Sequence, residues 1–248
     1  MPRFYIPPAE WATGEWTLEG AEAHHALGVL RLKTGDSVEI FNGVGEVATA
    51  EIIGTTKHRV GLQILQKSRT EPVQSRITLA QAIPKGKTIE WILEKATELG
   101  AAEIVPLLTE RTVIQLDARE AAKKREKWQG VTVEACKQCG QNWLPSVELP
   151  QTLKQFFSSS QSFDLMLIGS LQADAVSLKK SLTVTLGESQ KKPARVLILI
   201  GPEGDFTPAE IALCLGNGCR PVSLGSIVLR TETAAIYCLS VLGYELLG

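Results

Sequence analysis

The alternation of apolar and polar positions divides the chain into two unlike parts. Over residues 1–66, short runs at 3–6, 15–18, 37–41, 46–53 and 59–66 read as strands, interrupted by one helical piece at 21–30. Lys33-Thr34-Gly35-Asp36 and Asn42-Gly43-Val44-Gly45 supply the turns, and a small β-barrel is the natural closure for such strands. Residues 67–75, KSRTEPVQS, are polar, contain proline and lack periodicity, so they read as a linker.

From Arg76 onward the pattern changes. Residues 76–83 form an apolar strand, Lys85-Gly86-Lys87 precedes a helix at 88–99 that Gly100 ends, and 103–107 is the next strand. That spacing implies a right-handed parallel crossover. A long helix is expected at 117–138 and another buried strand at 163–169, after which Ser170-Leu171 begins a loop. Residues 177–190 are polar without a clear pattern.

Residues 196–200 are an unbroken apolar run, as in a parallel strand covered on both faces. Gly201-Pro202 stops it, and Thr207-Pro208-Ala209-Glu210 has the hydroxyl, proline and carboxylate of a capping box. Gly216-Asn217-Gly218 ends that helix and leads into a short strand at 221–224. A loop at 225–230 follows, and Thr231-Glu232-Thr233 is expected to cap a last helix whose residues 234–247 carry almost no charge. The expected organisation is a β-barrel domain at 1–70 and an α/β domain with a mostly parallel sheet at 71–248.

At 248 residues with 44% hydrophobic content, the chain can bury a sizeable core. Its net charge of -1 leaves any polyanion to be met by a local patch. Lys57, His58, Arg59, Lys67 and Arg69 form one candidate patch without an acid among them, with Arg3, Arg31 and Lys33 as candidates to join it; a solvated surface is the plain alternative. The basic run 123–127 has the same two readings. The N-terminal residues lack an apolar stretch of signal-peptide length, and no run reaches the roughly 20 apolar residues of a membrane span. The expectation is a cytoplasmic protein without membrane contact.

Five scattered cysteines argue against a disulfide framework. Cys136 and Cys139 have CxxC spacing but no second half-site, and His24-His25 point in different directions on a helix, so no metal is expected. Glu98, at the unfavourable end of a helix dipole, needs a partner.

Two glycine-bearing loops at the carboxyl ends of adjacent strands would form a ligand crevice. Gly201-Pro202-Glu203-Gly204-Asp205 offers two acids and no lysine, unlike a triphosphate loop, and Gly216-Asn217-Gly218 follows a helix, unlike a dinucleotide fingerprint. Apolar walls from Ile200, Leu224, Ile227, Val228 and Leu229, with free backbone groups, suit a ligand with an aromatic base and no phosphate. S-adenosylmethionine fits that description.

IGPEGDF at 200–206 and VSLGSIVLRTETA at 222–234 resemble the signature segments of the SPOUT (trefoil-knot) methyltransferases, in the branch that methylates uridine N3 of bacterial 16S ribosomal RNA. HHALGVLRLKTGDSVEIFNG at 24–43 and KGKTIEWILEKATELGAAEIVPLLTERT at 85–112 are similar to the same family, as are Ala135, Gln138, Cys139, Gly140 and Pro145. The resemblance implies a PUA-like β-barrel, then an α/β-knot methyltransferase domain that forms a homodimer, with S-adenosylmethionine as cofactor and 16S rRNA of the 30S subunit as substrate. It places the cofactor on Ile200, Gly201, Pro202, Gly204, Leu224, Gly225, Val228, Leu229, Thr233 and Ala234. Arg230 is the candidate for stabilising a uracil oxyanion. Glu203 and Glu232 are candidates for accepting the N3 proton, with a backbone or solvent route left open. Arg31, by its place after a valine-leucine pair, is an RNA-facing candidate with Arg3, Lys33 and Gln138. Four positions depart from the family pattern: Lys137 replaces a usual glutamate, Gln141 a usual arginine, Trp143 a polar or basic residue and Ile227 a common arginine. The other readings are a sister activity such as tRNA ribose 2'-O methylation, which the leading barrel argues against, and a non-catalytic RNA-binding assembly factor.

Overall fold

A computed structural model describes residues 1–12, 14–159, 161–172, 174–188 and 191–248, with Glu188 described by its backbone alone. The end of the polar stretch expected at 177–190, residues 189 and 190, lies outside the described residues. The chain forms two compact units, Met1–Pro72 with Val133–Leu144, and Val73–Thr132 with Pro145–Gly248.

The first unit contains β1 (Arg3–Tyr5), α1 (Pro8–Trp11), β2 (Thr17–Glu19), α2 (Gly20–His24), a π-helical continuation over His25–Val29, then β3 (Ser37–Phe41), β4 (Glu46–Thr55) and β5 (Arg59–Arg69). The strands run in the order β1-β3-β4-β5-β2, with β1 parallel to β3 and the other pairs antiparallel. Alternation puts Val38, Ile40, Ala48, Ala50 and Ile52 into one core, where they meet Phe4 and Leu18 from the two edge strands. The sheet therefore curls until its edges share that core, and irregular register at Thr49/Ala50 and Ile52/Gly54 helps it bend. β5 runs to Arg69, three residues into the expected linker. Lys67, Ser68 and Arg69 pair with Ala48, Val47 and Glu46 while their side chains stay exposed, so this strand end carries no apolar signal.

The second unit contains β6 (Arg76–Ala82), α3 (Thr88–Glu98), β7 (Ala101–Leu108), α4 (Ala118–Cys139, whose final turns fall in the first unit), β8 (Ser146–Val147), β9 (Gln151–Thr152) and α5 (Leu153–Ser158). It continues with β10 (Leu165–Gly169), β11 (Val176–Ser177), α6 (Leu178–Glu188), β12 (Arg195–Ile200), α7 (Pro208–Gly216), β13 (Arg220–Ser223) and α8 (Thr231–Leu246). The sheet order is β11-β13-β10-β12-β6-β7-β8, with β9 also on β7, and every described pair is parallel. In β12, Val196, Ile198 and Ile200 face one core and Leu197 and Leu199 the other. Both faces are covered, which explains why the sequence run has no polar break. Among the described residues no helix is long and apolar enough to cross a membrane.

One expectation about the crevice is corrected here. β12 and β13 are not adjacent, because β10 lies between them and pairs with both. The α7 crossover passes over one strand, and apolar periodicity carries no information about which neighbour a strand selects.

Candidate functional site

The C-terminal ends of β10, β12 and β13 open into a single cleft of about 620 Å³. Crevices at the carboxyl ends of parallel strands are the usual ligand sites of open α/β sheets. Three loops line it, from Gly169 to Gln172, from Ile200 to Asp205 and from Ser223 to Arg230, with Thr231 and Ala234 at the start of α8. The loop beginning at Ser170-Leu171 thus shares the crevice expected from the sequence.

Local chemistry holds each loop in place. A Cβ at Gly201 would lie 3.2 Å from the Phe206 ring and 3.3 Å from Asp205 Oδ1, so a larger residue would have to push these side chains outward. Asp205 takes a positive φ of 62°, and its Oδ1 accepts the Phe206 N–H at 2.8 Å. The Gly204 carbonyl accepts from the Arg111 guanidinium, whose side chain lies against Gly204. The expected capping box is present, with Thr207 Oγ1 accepting the Glu210 N–H and Glu210 Oε2 accepting the Thr207 N–H at 2.9 Å. In the other loop Gly225 has a φ of 136°.

The start of α8 differs from expectation. Thr231, Glu232 and Thr233 lie inside the helix, Arg230 is its N-cap, and no side chain caps it. The Thr231 hydroxyl is committed elsewhere, donating to the Gly201 carbonyl at 2.6 Å and accepting from Gln81 Nε2 at 2.9 Å.

Ile200, Gly201, Pro202, Gly204, Leu224, Gly225, Val228, Leu229 and Ala234 all line the cleft, whereas Thr233 does not and is exposed on α8. Of the three residues singled out for chemistry, Arg230 and Glu203 line it and Glu232 does not. Glu203 Oε1 accepts the Lys85 N–H at 3.0 Å. Among the described residues the charged lining consists of Glu203, Asp205 and Arg230, with no lysine. Ile227 and Val228 stand on the lip with 73% and 75% of their surface open. Arg111 and Gln81 were not legible as residues that support the site, since each acts through a contact with chain far away in sequence.

In the first unit Arg31, at a positive φ of 56°, and Lys33 and Gln138 are exposed. Arg3 is not: its side chain is 9% exposed, paired with Glu39 and Asn142, donating to the Cys136 carbonyl at 2.6 Å and stacked 4.4 Å from the Phe41 ring centre. It braces β1 against the chain around residues 136–142 rather than presenting its charge to solvent. Lys137 is likewise withdrawn, 3.1 Å from Glu22 and 3.0 Å from Glu134. Burial raises the Glu22 carboxyl above its ordinary range, and the Lys137 charge opposes that rise. Trp143 donates its indole N–H to the Thr70 carbonyl at 3.1 Å.

Several of the charged candidates have partners within the chain. Arg59 pairs with Glu19, Lys67 sits 4.5 Å over the Trp16 ring, and Glu98 finds its partner in Lys95 at 2.8 Å. In the basic run of α4, Arg125 donates to the Val147 carbonyl and Lys127 pairs with Glu90. His24 is exposed, while His25 meets Phe4 edge-on. Among the described residues no histidine, cysteine or carboxylate cluster could hold a metal.

The RNA methyltransferase domain family matches residues 70–243, and the RNA methyltransferase PUA domain family matches residues 18–65. The ribosomal RNA small subunit methyltransferase E of Bacillus subtilis (strain 168) is 31% identical over 99% of this chain and 97% of its own length. The chain belongs to the ribosomal RNA small subunit methyltransferase E family. A member of this family from Neisseria gonorrhoeae, whose crystal structure is bound to S-adenosyl methionine, superposes with a TM-score of 0.83 at 30% identity, covering 98% of this chain and 97% of that one. A putative methyltransferase from Legionella pneumophila, in complex with the bound cofactor SAM, superposes at 0.84 with 36% identity, covering 98% and 96%. The fold of the ribosomal RNA small subunit methyltransferase E family, a PUA-like unit followed by an α/β unit with a parallel sheet, is the fold of this chain.

Proposed function

We propose that this chain transfers the methyl group of S-adenosylmethionine to N3 of a uridine in the 16S rRNA of the small ribosomal subunit. The observation that carries the reading is the three-loop cleft, present in a chain whose fold matches two structures that hold this cofactor. Its volume of about 620 Å³ suits a ligand of that size. Apolar walls suit an adenine ring, glycine loops leave backbone groups for its edge, and two carboxylates without a lysine suit a sulfonium rather than a phosphate.

When bound, the cofactor supplies a methyl group already activated by the positive sulfur. The chain's task is alignment and exclusion of water, worth on the order of 7–11 kcal/mol of barrier. Ile200, Leu224 and Leu229 form the dry walls, with Val228 on the exposed lip. Arg230, on the cleft lining at the N-cap of α8, stabilises negative charge developing on the uracil oxygens. Glu203 is the proton acceptor in this reading because it lines the cleft and Glu232 does not, with solvent as the competing route. Arg31, Lys33 and Gln138 form the RNA-facing surface of the first unit.

A second copy of the chain completes the enzyme. Thr233, Tyr237, Ser240 and Tyr244 form an exposed stripe on α8 at helical spacing without a single charge, and an uncharged helical face of this kind suits a two-fold contact. The test of the function is methyl transfer from labelled S-adenosylmethionine to 30S subunits lacking this modification, followed by mass-spectrometric mapping. Label on uridine N3 is expected. Label on a ribose, or absence of both cofactor binding and transfer, overturns the reading.

A further inference from the structure

Gln81 occupies the C-terminal part of β6, opposite Ile200 of β12, and is fully buried. Its Nε2 donates to the Ala82 carbonyl at 2.8 Å and to Thr231 Oγ1 at 2.9 Å, and Thr231 passes its own proton to the Gly201 carbonyl at 2.6 Å. Directionality is unambiguous. The Gly201 carbonyl can only accept, so the Thr231 hydroxyl donates to it and must itself receive the Gln81 N–H. This assigns the amide orientation and leaves Gln81 Oε1 as a buried acceptor without a hydrogen-bond partner among the described residues. An orphaned acceptor costs stability, and an apolar side chain of the same length would avoid that cost. The amide end of Gln81 is what gives a glutamine a role at this buried position.

What it holds is the relative position of two cleft loops. Gly201 opens the loop after β12, and Thr231 is the residue that follows the loop after β13. Thr231 is also bonded directly to Arg230, which lines the cleft and has no side-chain cap at the helix start to fix it. The same hydroxyl thus sets both the depth of the first loop and the origin of α8. With β10 standing between β12 and β13, no ladder hydrogen bond joins the two strands to do so.

We infer that Gln81 is a positioning residue for methyl transfer, acting through Thr231 to hold the Gly201 loop and Arg230 in register across the cleft without touching the ligand. Its importance to catalysis rests on the proposed methyltransferase reading, but the coupling of the loops does not.

The test uses the full chain with Gln81→Met, Thr231→Val and Thr231→Ser. In Gln81→Met the relief of the orphaned oxygen is set against two lost amide bonds, so the melting temperature is expected to change by less than about 5 °C, while methyl transfer at saturating S-adenosylmethionine and RNA falls about 10- to 100-fold, the range of a roughly 1 Å misplacement. Thr231→Val shows a similar loss, and the double variant loses no more than the worse single variant because one relay has been cut twice. Thr231→Ser keeps the hydroxyl and stays within about twofold of the parent. Amide hydrogen exchange reports the mechanism, with residues 201–205 and 225–231 exchanging faster in Gln81→Met and Thr231→Val while β12 and β6 are unchanged. Unchanged exchange in those segments, or additive losses in the double variant, overturns the relay. Faster exchange in a protein whose parent binds no S-adenosylmethionine overturns the cofactor reading instead, so the two failures are distinguishable.

Discussion

The buried carboxylate of Glu210 accepts the backbone N–H of Glu110 at 2.9 Å while its other oxygen closes the capping box on Thr207. One side chain therefore ties the segment after β7 to the start of α7, just beyond the Gly201 loop. A Glu210→Ala substitution strands the Glu110 and Thr207 N–H donors and opens the reciprocal half of the capping box, while Thr207 Oγ1 still caps the backbone N–H of residue 210. The expected loss is about 2–4 kcal/mol of unfolding free energy, measured by urea titration.

Arg230 contributes charge at the cleft rather than packing, since its side chain is exposed. Arg230→Ala is expected to reduce methyl transfer at least about 100-fold while the calorimetric affinity for S-adenosylmethionine changes by less than about threefold. Retained turnover would remove Arg230 from the chemistry.

Arg111 reaches the cleft from outside, holding the Gly204 carbonyl from the loop after β7. Arg111→Ala should weaken S-adenosylmethionine binding about tenfold, near 1.4 kcal/mol, with little change in melting temperature. Arg111→Lys recovers part of this, because an ammonium can donate to one carbonyl but lacks the planar fork.

The cysteines predict a pH response. Burial pushes the thiols of Cys136 and Cys238 from 9.0 up to about 12, and Cys214 is raised further, with the neighbouring Cys219 as the foremost cause. Groups raised on folding contribute stability that is full below their unfolded pKa and lost as pH rises toward the folded one. The fold should therefore weaken between about pH 9 and 12, and Cys136→Ser with Cys238→Ala should flatten that part of the melting curve. Near pH 8, iodoacetamide should label Cys139, the exposed thiol, well before the other four, as read by mass spectrometry.

The uncharged stripe on α8 gives a further test. Tyr237→Glu with Tyr244→Glu is expected to shift the sedimentation coefficient from dimer to monomer, because each charge would have to be desolvated in a self-contact. A parent protein that sediments as a monomer would exclude the contact.

Much of the cleft was legible because its determinants are local. A short apolar run rich in β-branched residues and stopped by Gly201-Pro202 suits a strand covered on both sides, and β12 takes that setting with alternate residues in two cores. Thr207, Pro208 and Glu210 fix a helix start within four residues, and the structure forms the box they encode. The loops from Ile200 to Gly204 and from Leu224 to Arg230 begin where those elements end, and the resemblance of their segments to the family pointed to the residues within them.

Other features required chain far apart in sequence. Thr231 has the composition of a cap, but its hydroxyl serves Gly201 because Gln81, 150 positions away, fills its acceptor side. Arg3 has the appearance of a surface charge until residues 136–142 supply the carbonyls and amide that enclose it. Lys137 is a free cation on a helix until Glu22 is brought beside it. By itself the sequence determined the main strands and helices, the Thr207 capping box and the glycine turns, because backbone sterics and apolar periodicity act over a few residues, whereas α1, α5, α6 and the short strands β8, β9 and β11 left no such signal. The tertiary structure alone decided that β10 separates β12 from β13, which charges are spent internally, and which hydroxyl joins the cleft loops, because hydrogen-bond partners are chosen by proximity in space.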